Sequence, residues 1–184
     1  MLRVVFCVVL LLAACDGSMD EGAPTAAKDA EHAEIAFVKE NSIYVIAADG
    51  TGMHKLSSGG IEVGPAWSPD GKRIACAASG TILRVMNADG SGIREVVTDI
   101  PGDVASPAWS PDGRKLAFNV YLRSGGSAIY VVDEDGSNLT KLLEEEANYP
   151  GYVHWSPDGG TLVYRDGTSD EDADLYTMNT DEAG

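Results

Sequence analysis

The phrase Trp-Ser-Pro-Asp-Gly occurs three times in this chain, at residues 67–71, 109–113 and 155–159, with the tryptophans 42 and 46 residues apart. Proline presets the backbone at the second position of a tight turn. Aspartate can accept bonds from nearby amides, and glycine adopts the left-handed conformation that closes the turn. Tryptophan supplies a large apolar plate just before the turn. The repeat therefore predicts that one structural unit, with one such turn, recurs along the chain.

The repeated phrase contains no nucleophile–base pair and no metal-binding set, so we interpret it as structural. The residues assigned to this structural role are Trp67, Pro69, Asp70, Gly71, Trp109, Pro111, Asp112, Gly113, Trp155, Pro157, Asp158 and Gly159.

Other phrases recur in a constant order around this turn. An apolar strand such as KRIACAAS or RKLAFNVY follows it, then a strand such as SAIYVVD, and then an Asp-Gly turn. Each unit thus reads as four strands, a to d, in about 40–46 residues, which is typical of a β-propeller blade. Strands that are apolar on both faces fit sheets covered by a neighbour on each side. The sequence predicts an all-β propeller of four-stranded antiparallel blades.

Counting strands along the chain predicts about 3.5 blades, since the first unit lacks strand a and the last lacks strand d. We expect an incomplete or open ring, in which strand 35–39 forms no sheet with residues 161–179. Such a ring exposes sheet edges that invite self-association. The chain is then expected to be part of a larger propeller, or to close only with another copy. The predicted blades are 34–60 (partial), 61–100, 101–147 and 148–184 (partial).

With its Ile-Tyr-Val strands and Asp-Gly turns, the repeat resembles the TolB-type, WD40-like (PD40) β-propeller family over about residues 34–180. The last copy departs from the family pattern at Gly160, where lysine or arginine is usual. The resemblance implies a non-catalytic scaffold with interaction surfaces at the mouth of its channel. The family also includes propeller domains of prolyl-oligopeptidase-like peptidases. An alternative is therefore the propeller portion of a hydrolase or lyase whose catalytic part is missing from this chain.

The first residues read as an export signal. An apolar run over residues 4–12, too short to span a membrane, ends in Leu12-Ala13-Ala14-Cys15. This sequence resembles the bacterial lipobox, which implies a signal peptide at 1–14, lipidation of Cys15 and a flexible tether at 15–33. The alternative is an ordinary secretory signal cleaved near Ala14. The expected location is the bacterial cell envelope, lipid-anchored, in the periplasm or on the outer face of the membrane.

The net charge of −16 argues against a nucleic-acid partner, because a chain this acidic repels phosphate backbones. The expected partner is an envelope protein, peptide or glycan, with membrane contact through the lipid anchor only. After removal of Cys7 with the signal and lipidation of Cys15, Cys76 is left without a disulfide partner. We interpret Cys76 as a small buried core residue.

No catalytic or metal-binding motif stands out, so neither an enzyme nor a cofactor is predicted. A Gly-x-Ser-x-Gly elbow is absent, and His32, His54 and His154 have no ligand spacing. The acidic stretches 133–138 and 168–176 are read as a turn and a solvated loop, although the first resembles the start of a calcium loop.

The strands that lead into each tryptophan are predicted to be the innermost strands of the propeller and to line its channel. Residues just before these strands should then face one mouth of the channel. The candidate partner-facing residues are Glu62, Asp103, Tyr149 and Tyr152.

Overall fold

A computed structural model describes residues 34–57, 60–146, 150–167 and 172–180 of the chain. The described residues form fourteen strands. These are β1 (Glu34–Lys39), β2 (Ser42–Ala47), β3 (His54–Lys55), β4 (Glu62–Trp67), β5 (Arg73–Ala78), β6 (Ile82–Asn87), β7 (Arg94–Val97), β8 (Gly102–Trp109), β9 (Lys115–Leu122), β10 (Ser127–Asp133), β11 (Thr140–Glu145), β12 (Gly151–Trp155), β13 (Thr161–Asp166) and β14 (Asp174–Asn179).

The strands form four antiparallel sheets, each in chain order, which we number as blades 1 to 4. Blade 1 contains β1–β3, blade 2 contains β4–β7, blade 3 contains β8–β11 and blade 4 contains β12–β14. The predicted all-β fold with an unclosed set of three- and four-stranded blades is confirmed. Among the described residues, β1 shares no sheet with β13 or β14. No helix in this part of the chain is long and apolar enough to cross a membrane.

Each junction between blades is an apolar core, and alternate residues of one strand serve two different cores. On β5, Ile74 and Cys76 pack against blade 1, whereas Ala75 and Ala77 pack against blade 3. The sequence of β5 is apolar without alternation because both of its faces are covered. Cys76 is fully buried, as the sequence predicted. Burial raises the pKa of the Cys76 thiol to about 12, so it remains protonated at neutral pH.

Two of the repeated tryptophans, Trp109 and Trp155, tie their blade to the one before it, whereas the buried Trp67 Nε1 has no hydrogen-bond partner among the described residues. Trp109 Nε1 donates to the carbonyl oxygen of Ala66 at 3.1 Å, and Trp155 Nε1 donates to that of Ala108 at the same distance. Each acceptor immediately precedes the tryptophan of the preceding blade. A backbone bond pins the other end of the junction, where Val104 N donates to Gly80 O at 2.6 Å. Blades 2 and 3 are therefore held together at both ends of the inner strand β8.

The turn after each tryptophan is built as the sequence predicted, with one addition. Gly113 N donates to Ser110 O at 2.9 Å, and Gly113 has a φ of 68°. The Ser110 hydroxyl donates to Asp112 Oδ1 at 2.6 Å and accepts from Lys115 N at 2.9 Å. The hydrogen bond from Ser110, followed by that from Arg114 N, lowers the pKa of Asp112. The serine thus joins the turn to strand β9.

The last copy of the turn offers a matched pair of glycines. Gly159 has a φ of 75°, where a side chain is strained, whereas Gly160 lies outside the left-handed region and a methyl group there meets only ordinary contacts. Gly159→Ala should lower the free energy of unfolding by about 1–2 kcal/mol. Gly160→Ala should change it by less than about 0.5 kcal/mol. Urea unfolding measures both, and equal effects would contradict a left-handed requirement at Gly159.

Candidate binding site

The three strands that lead into the tryptophans lie next to one another. β4 contacts β8, and β8 contacts β12, although each belongs to a different sheet. Each is the first strand of its sheet and lies at one edge of it, paired only with the next strand along the chain. This arrangement makes β4, β8 and β12 the innermost strands, which in a propeller surround the central channel.

Each innermost strand carries a bulge at the same position, three residues before its tryptophan. The register shifts between Val63 and Ala66 in β4, and equivalently in β8 and β12. The middle residues Gly64, Ser106 and Tyr152 all have positive φ, of 62°, 48° and 51° respectively. A bulge redirects the side chain that it carries. The bulges therefore place these three residues at equivalent points on adjacent inner strands.

Tyr152 stands out among the bulge residues. Glycine adopts positive φ without cost, but a bulky side chain does so rarely and with strain. The side chain of Tyr152 is nevertheless 59% exposed, so burial does not explain why tyrosine occupies this position. Strained residues concentrate at functional sites, where the surrounding structure holds them in place. Tyr152 is thus the described residue on the inner strands that most strongly indicates a binding role.

A second tyrosine lies near the start of β12, and an aspartate pairs with this tyrosine across the neighbouring strands. Asp103 is exposed and pairs in register with Tyr121 of β9, which is 40% exposed. The Tyr121 hydroxyl lies 3.7 Å from the position that a side chain on Gly151 would occupy, and Gly151 adjoins Tyr152. We define Asp103, Tyr121 and Tyr152 as the mouth patch. It combines two aromatic rings with one carboxylate at the start of the innermost strands.

A buried polar side chain lies beneath the mouth patch. Asn119 is fully buried, and among the described residues neither atom of its side-chain amide has a hydrogen-bond partner. Its Nδ2 atom lies 3.7 Å from the Cβ position of Gly151. A buried amide without partners is costly, and a native structure requires a reason for it. Asn119 and Tyr121 interrupt the apolar run RKLAFNVY, and that interruption is the sequence signal that could have identified them.

The prediction that Glu62 faces a partner is wrong. Its side chain is fully buried and forms an ion pair with Arg84, with 2.9 Å between Oε1 and Nη1. The Ser57 hydroxyl donates to the other carboxylate oxygen, Oε2. Glu62 starts an inner strand, as predicted, but its side chain turns into blade 2 because Arg84 of β6 offers a charge there. The exposed partner of Arg84 is Glu95.

The remaining predicted sites divide by position. Asp103 and Tyr152 are exposed at the start of their strands, and the twelve repeat residues lie in or next to the turns described above. Tyr149 and Cys15 lie outside the described residues, as do the predicted signal and tether at 1–33. Within the described residues, no group of three or more histidine, cysteine, aspartate or glutamate side chains could hold a metal ion.

Comparisons with known proteins agree with this architecture. The sequence profile of the family described as PD40, TolB beta propeller domain, matches residues 25–184. A structure described as a putative TolB from Agrobacterium tumefaciens is 24% identical with a TM-score of 0.66, over 78% of this chain and 54% of that one. The search of curated proteins found no match.

Two further structures extend the likeness beyond bacterial TolB. A chain of a nidogen–laminin complex is 15% identical with a TM-score of 0.67, over 81% of this chain and 58% of that one. A prolyl endopeptidase is 19% identical with a TM-score of 0.59, over 78% of this chain and 25% of that one. The matched region thus accounts for less than two thirds of each of these proteins, and identities this low establish the fold alone.

The two glutamates that pair with Arg84 provide a test of the buried network. Glu62→Gln should lower the free energy of unfolding by about 3 kcal/mol, because it removes the buried counter-charge of the largely buried Arg84 guanidinium and leaves only the exposed Glu95. Glu95→Gln removes the exposed partner of the same arginine and should cost less than about 1 kcal/mol. Urea unfolding of both variants measures the difference. A Glu62→Gln variant as stable as Glu95→Gln would contradict the structural role of Glu62.

Proposed function

Because the chain belongs to the TolB β-propeller domain family, we propose that it is a non-catalytic scaffold that binds a protein, peptide or glycan of the bacterial envelope. The partner contacts the mouth patch, where the innermost strands begin. The observation that carries this proposal is Tyr152, an exposed aromatic side chain held at a φ of 51°.

The chemistry of the mouth patch supports a binding role. Tyrosine presents a large, rigid and partly apolar surface with a hydroxyl group for hydrogen bonding, and it is common at interaction hot spots. Tyr121 and Tyr152 supply two such surfaces on adjacent blades, and Asp103 adds a negative charge that favours a partner with a donor or cation opposite it. Asn119 lies beneath the patch, and its amide has no hydrogen-bond partner within the described part of the chain.

The proposed location follows from the N-terminal sequence. We propose that Cys15 carries the lipid and that the scaffold is tethered to the outer face of a membrane or within the periplasm. The support is the Leu-Ala-Ala-Cys sequence after an apolar run of residues 4–12.

The alternative function, the propeller portion of a hydrolase or lyase, is supported only by the shared fold. The prolyl endopeptidase match illustrates it, but this chain spans 25% of that protein. Fold alone does not transfer activity, because function depends on the site that a fold carries.

Loss of the two patch tyrosines should remove the partner. We expect Tyr121→Ala/Tyr152→Ala to reduce co-purification of the partner with the tagged full chain from detergent-solubilised membranes by about tenfold or more. The control is Tyr176→Ala, which removes another tyrosine, 47% exposed, from the outer strand β14. Quantitative mass spectrometry measures the captured proteins. Equal capture by the double variant and the control would overturn the role of the mouth patch.

Replacement of the lipidated cysteine should release the protein from the membrane. Cys15→Ser removes the thiol that accepts the lipid, and we expect the chain to move from the membrane to the soluble fraction. Cys7→Ser lies within the predicted signal and should leave the chain on the membrane. Mass spectrometry of the native protein should find a diacylglycerol-modified N-terminus at Cys15, and a native soluble product that begins elsewhere would contradict it.

A further inference from the structure

The turn end of the junction between blades 2 and 3 is filled by charged side chains. The Arg73 guanidinium stacks over the Trp109 ring, 4.8 Å from its centroid, and pairs with Glu134, with 2.6 Å between Nη1 and Oε2. Arg94 pairs with the same carboxylate. We define Arg73, Arg94 and Glu134 as the arginine clamp. It covers one face of the tryptophan and joins the two blades through charge.

Two other groups complete the surroundings of the Arg73 guanidinium. Its Nη2 atom donates to the carbonyl oxygen of Gly113 at 3.4 Å and lies 3.8 Å from Asp70 Oδ2. The guanidinium thus meets an aromatic face, two carboxylates and a carbonyl oxygen. Planar guanidinium groups favour such a combination of stacking and multiple acceptors.

The equivalent junction between blades 3 and 4 lacks all three clamp residues. Lys115 occupies the position of Arg73, since each donates its backbone amide to the serine of the preceding turn. Thr180 occupies the position of Glu134, because each donates its backbone amide to the carbonyl oxygen of the residue that follows Asp-Gly in its own blade. The acceptor is Arg114 O for Glu134 and Gly160 O for Thr180. Thr140 occupies the position of Arg94, because Thr140 pairs with Val131 of β10 as Arg94 pairs with the equivalent Val85 of β6.

The substitutions leave an open cleft over Trp155. It has a volume of about 430 Å³ and is lined by residues that include Pro111, Asp112, Lys115, Trp155, Pro157 and Thr180. Within the part of the chain that the structure describes, the Lys115 ammonium group forms no ion pair. Lysine lacks the planar group that stacks on the ring in blade 3. We define this space as the inter-blade cleft.

Most of the groups that hold the Arg73 guanidinium have a counterpart in the inter-blade cleft. Trp155 corresponds to Trp109, Asp112 to Asp70, and the Gly159 carbonyl to that of Gly113. Thr180 Oγ1 donates to Gly159 O at 3.3 Å, and a carbonyl oxygen can accept a second bond. Of the partners of Arg73, only Glu134 is missing. The cleft therefore keeps most of the groups that surround a guanidinium at the neighbouring junction, and no arginine is among its described lining residues.

We propose that the inter-blade cleft binds an arginine side chain presented by a protein partner. The guanidinium stacks on Trp155 and faces Asp112 and the Gly159 carbonyl, as Arg73 does at the neighbouring junction. The net charge of −16 attracts a basic partner to this surface. A carboxylate ligand would occupy the position of Glu134. It could pair there with one cation, Lys115, whereas the Glu134 carboxylate pairs with two arginines.

The cleft is distinct from the mouth patch, because it lies at the opposite end of the inner strands. β12 begins next to the patch residue Tyr152 and ends at Trp155, which lines the cleft. The inference thus does not rest on the proposed function, and Tyr121→Ala/Tyr152→Ala should leave arginine binding unchanged.

The test uses the ¹⁵N-labelled full chain in detergent and the peptide acetyl-Gly-Arg-Gly-amide. The indole N–H signal of Trp155, identified by its loss in Trp155→Phe, should shift with peptide concentration, and that of Trp109 should not, because Arg73 already covers its ring. The matched peptide with citrulline has nearly the same shape without the charge and should bind about tenfold more weakly.

Variants at Lys115 separate arginine binding from a general surface effect. Lys115→Arg supplies the chain with its own guanidinium over Trp155 and should weaken binding of the arginine peptide by about tenfold. Lys115→Ala keeps the cleft open and should bind at least as tightly as the native chain. The absence of a Trp155 shift, equal binding of the citrulline peptide, or unchanged affinity in Lys115→Arg would each overturn the proposal.

Discussion

The packing of one blade on the next is the interaction on which this structure depends. The central sheets are apolar on both faces, so neither face can be left in water, and alternate residues of β5 enter different cores on either side. The tryptophans set the spacing of this stack. Each packs against the core of the preceding junction, and Trp109 and Trp155 also donate the indole N–H to the inner strand of the preceding blade, as Trp109 does to Ala66 O. A directional bond added to a non-directional core gives the junctions of blades 2 with 3 and 3 with 4 the same geometry.

A repeated backbone with varied side chains produces sites that differ between junctions. The turn, the indole bond and the bulge recur, with Gly64, Ser106 and Tyr152 at the bulge position. The glycine and the serine are small, whereas the tyrosine presents a ring to solvent at the same place. At the other end of the strands, the charged clamp around Trp109 gives way to an open cleft over Trp155. Binding surfaces thus arise where one copy of the repeat departs from the others.

Two fully buried polar side chains, Glu62 and Asn119, differ in whether their polar atoms have hydrogen-bond partners. Glu62 is satisfied by Arg84 and Ser57, so its burial is compatible with a stable fold. Asn119 has the same degree of burial without any partner for its amide. The contrast separates a structural network in blade 2 from an unsatisfied group beneath the mouth patch in blade 3. The first stabilises the native state, and the second is a buried amide that the described residues leave without a partner.

The sequence by itself determined the fold class, the number and order of the strands, and the conformation of the turns. These features depend on local chemistry that repeats: proline and glycine restrict the turn, and apolar runs on both faces require covered sheets. It also identified Cys76 as a core residue. The tertiary structure alone decided which side chains are available to a partner. Glu62 and Asp103 both lie at the start of an inner strand, yet one turns inward to Arg84 and the other remains exposed. The difference depends on a charge on another strand, and the cleft over Trp155 depends on three residues that are distant in sequence, so no local pattern could reveal either.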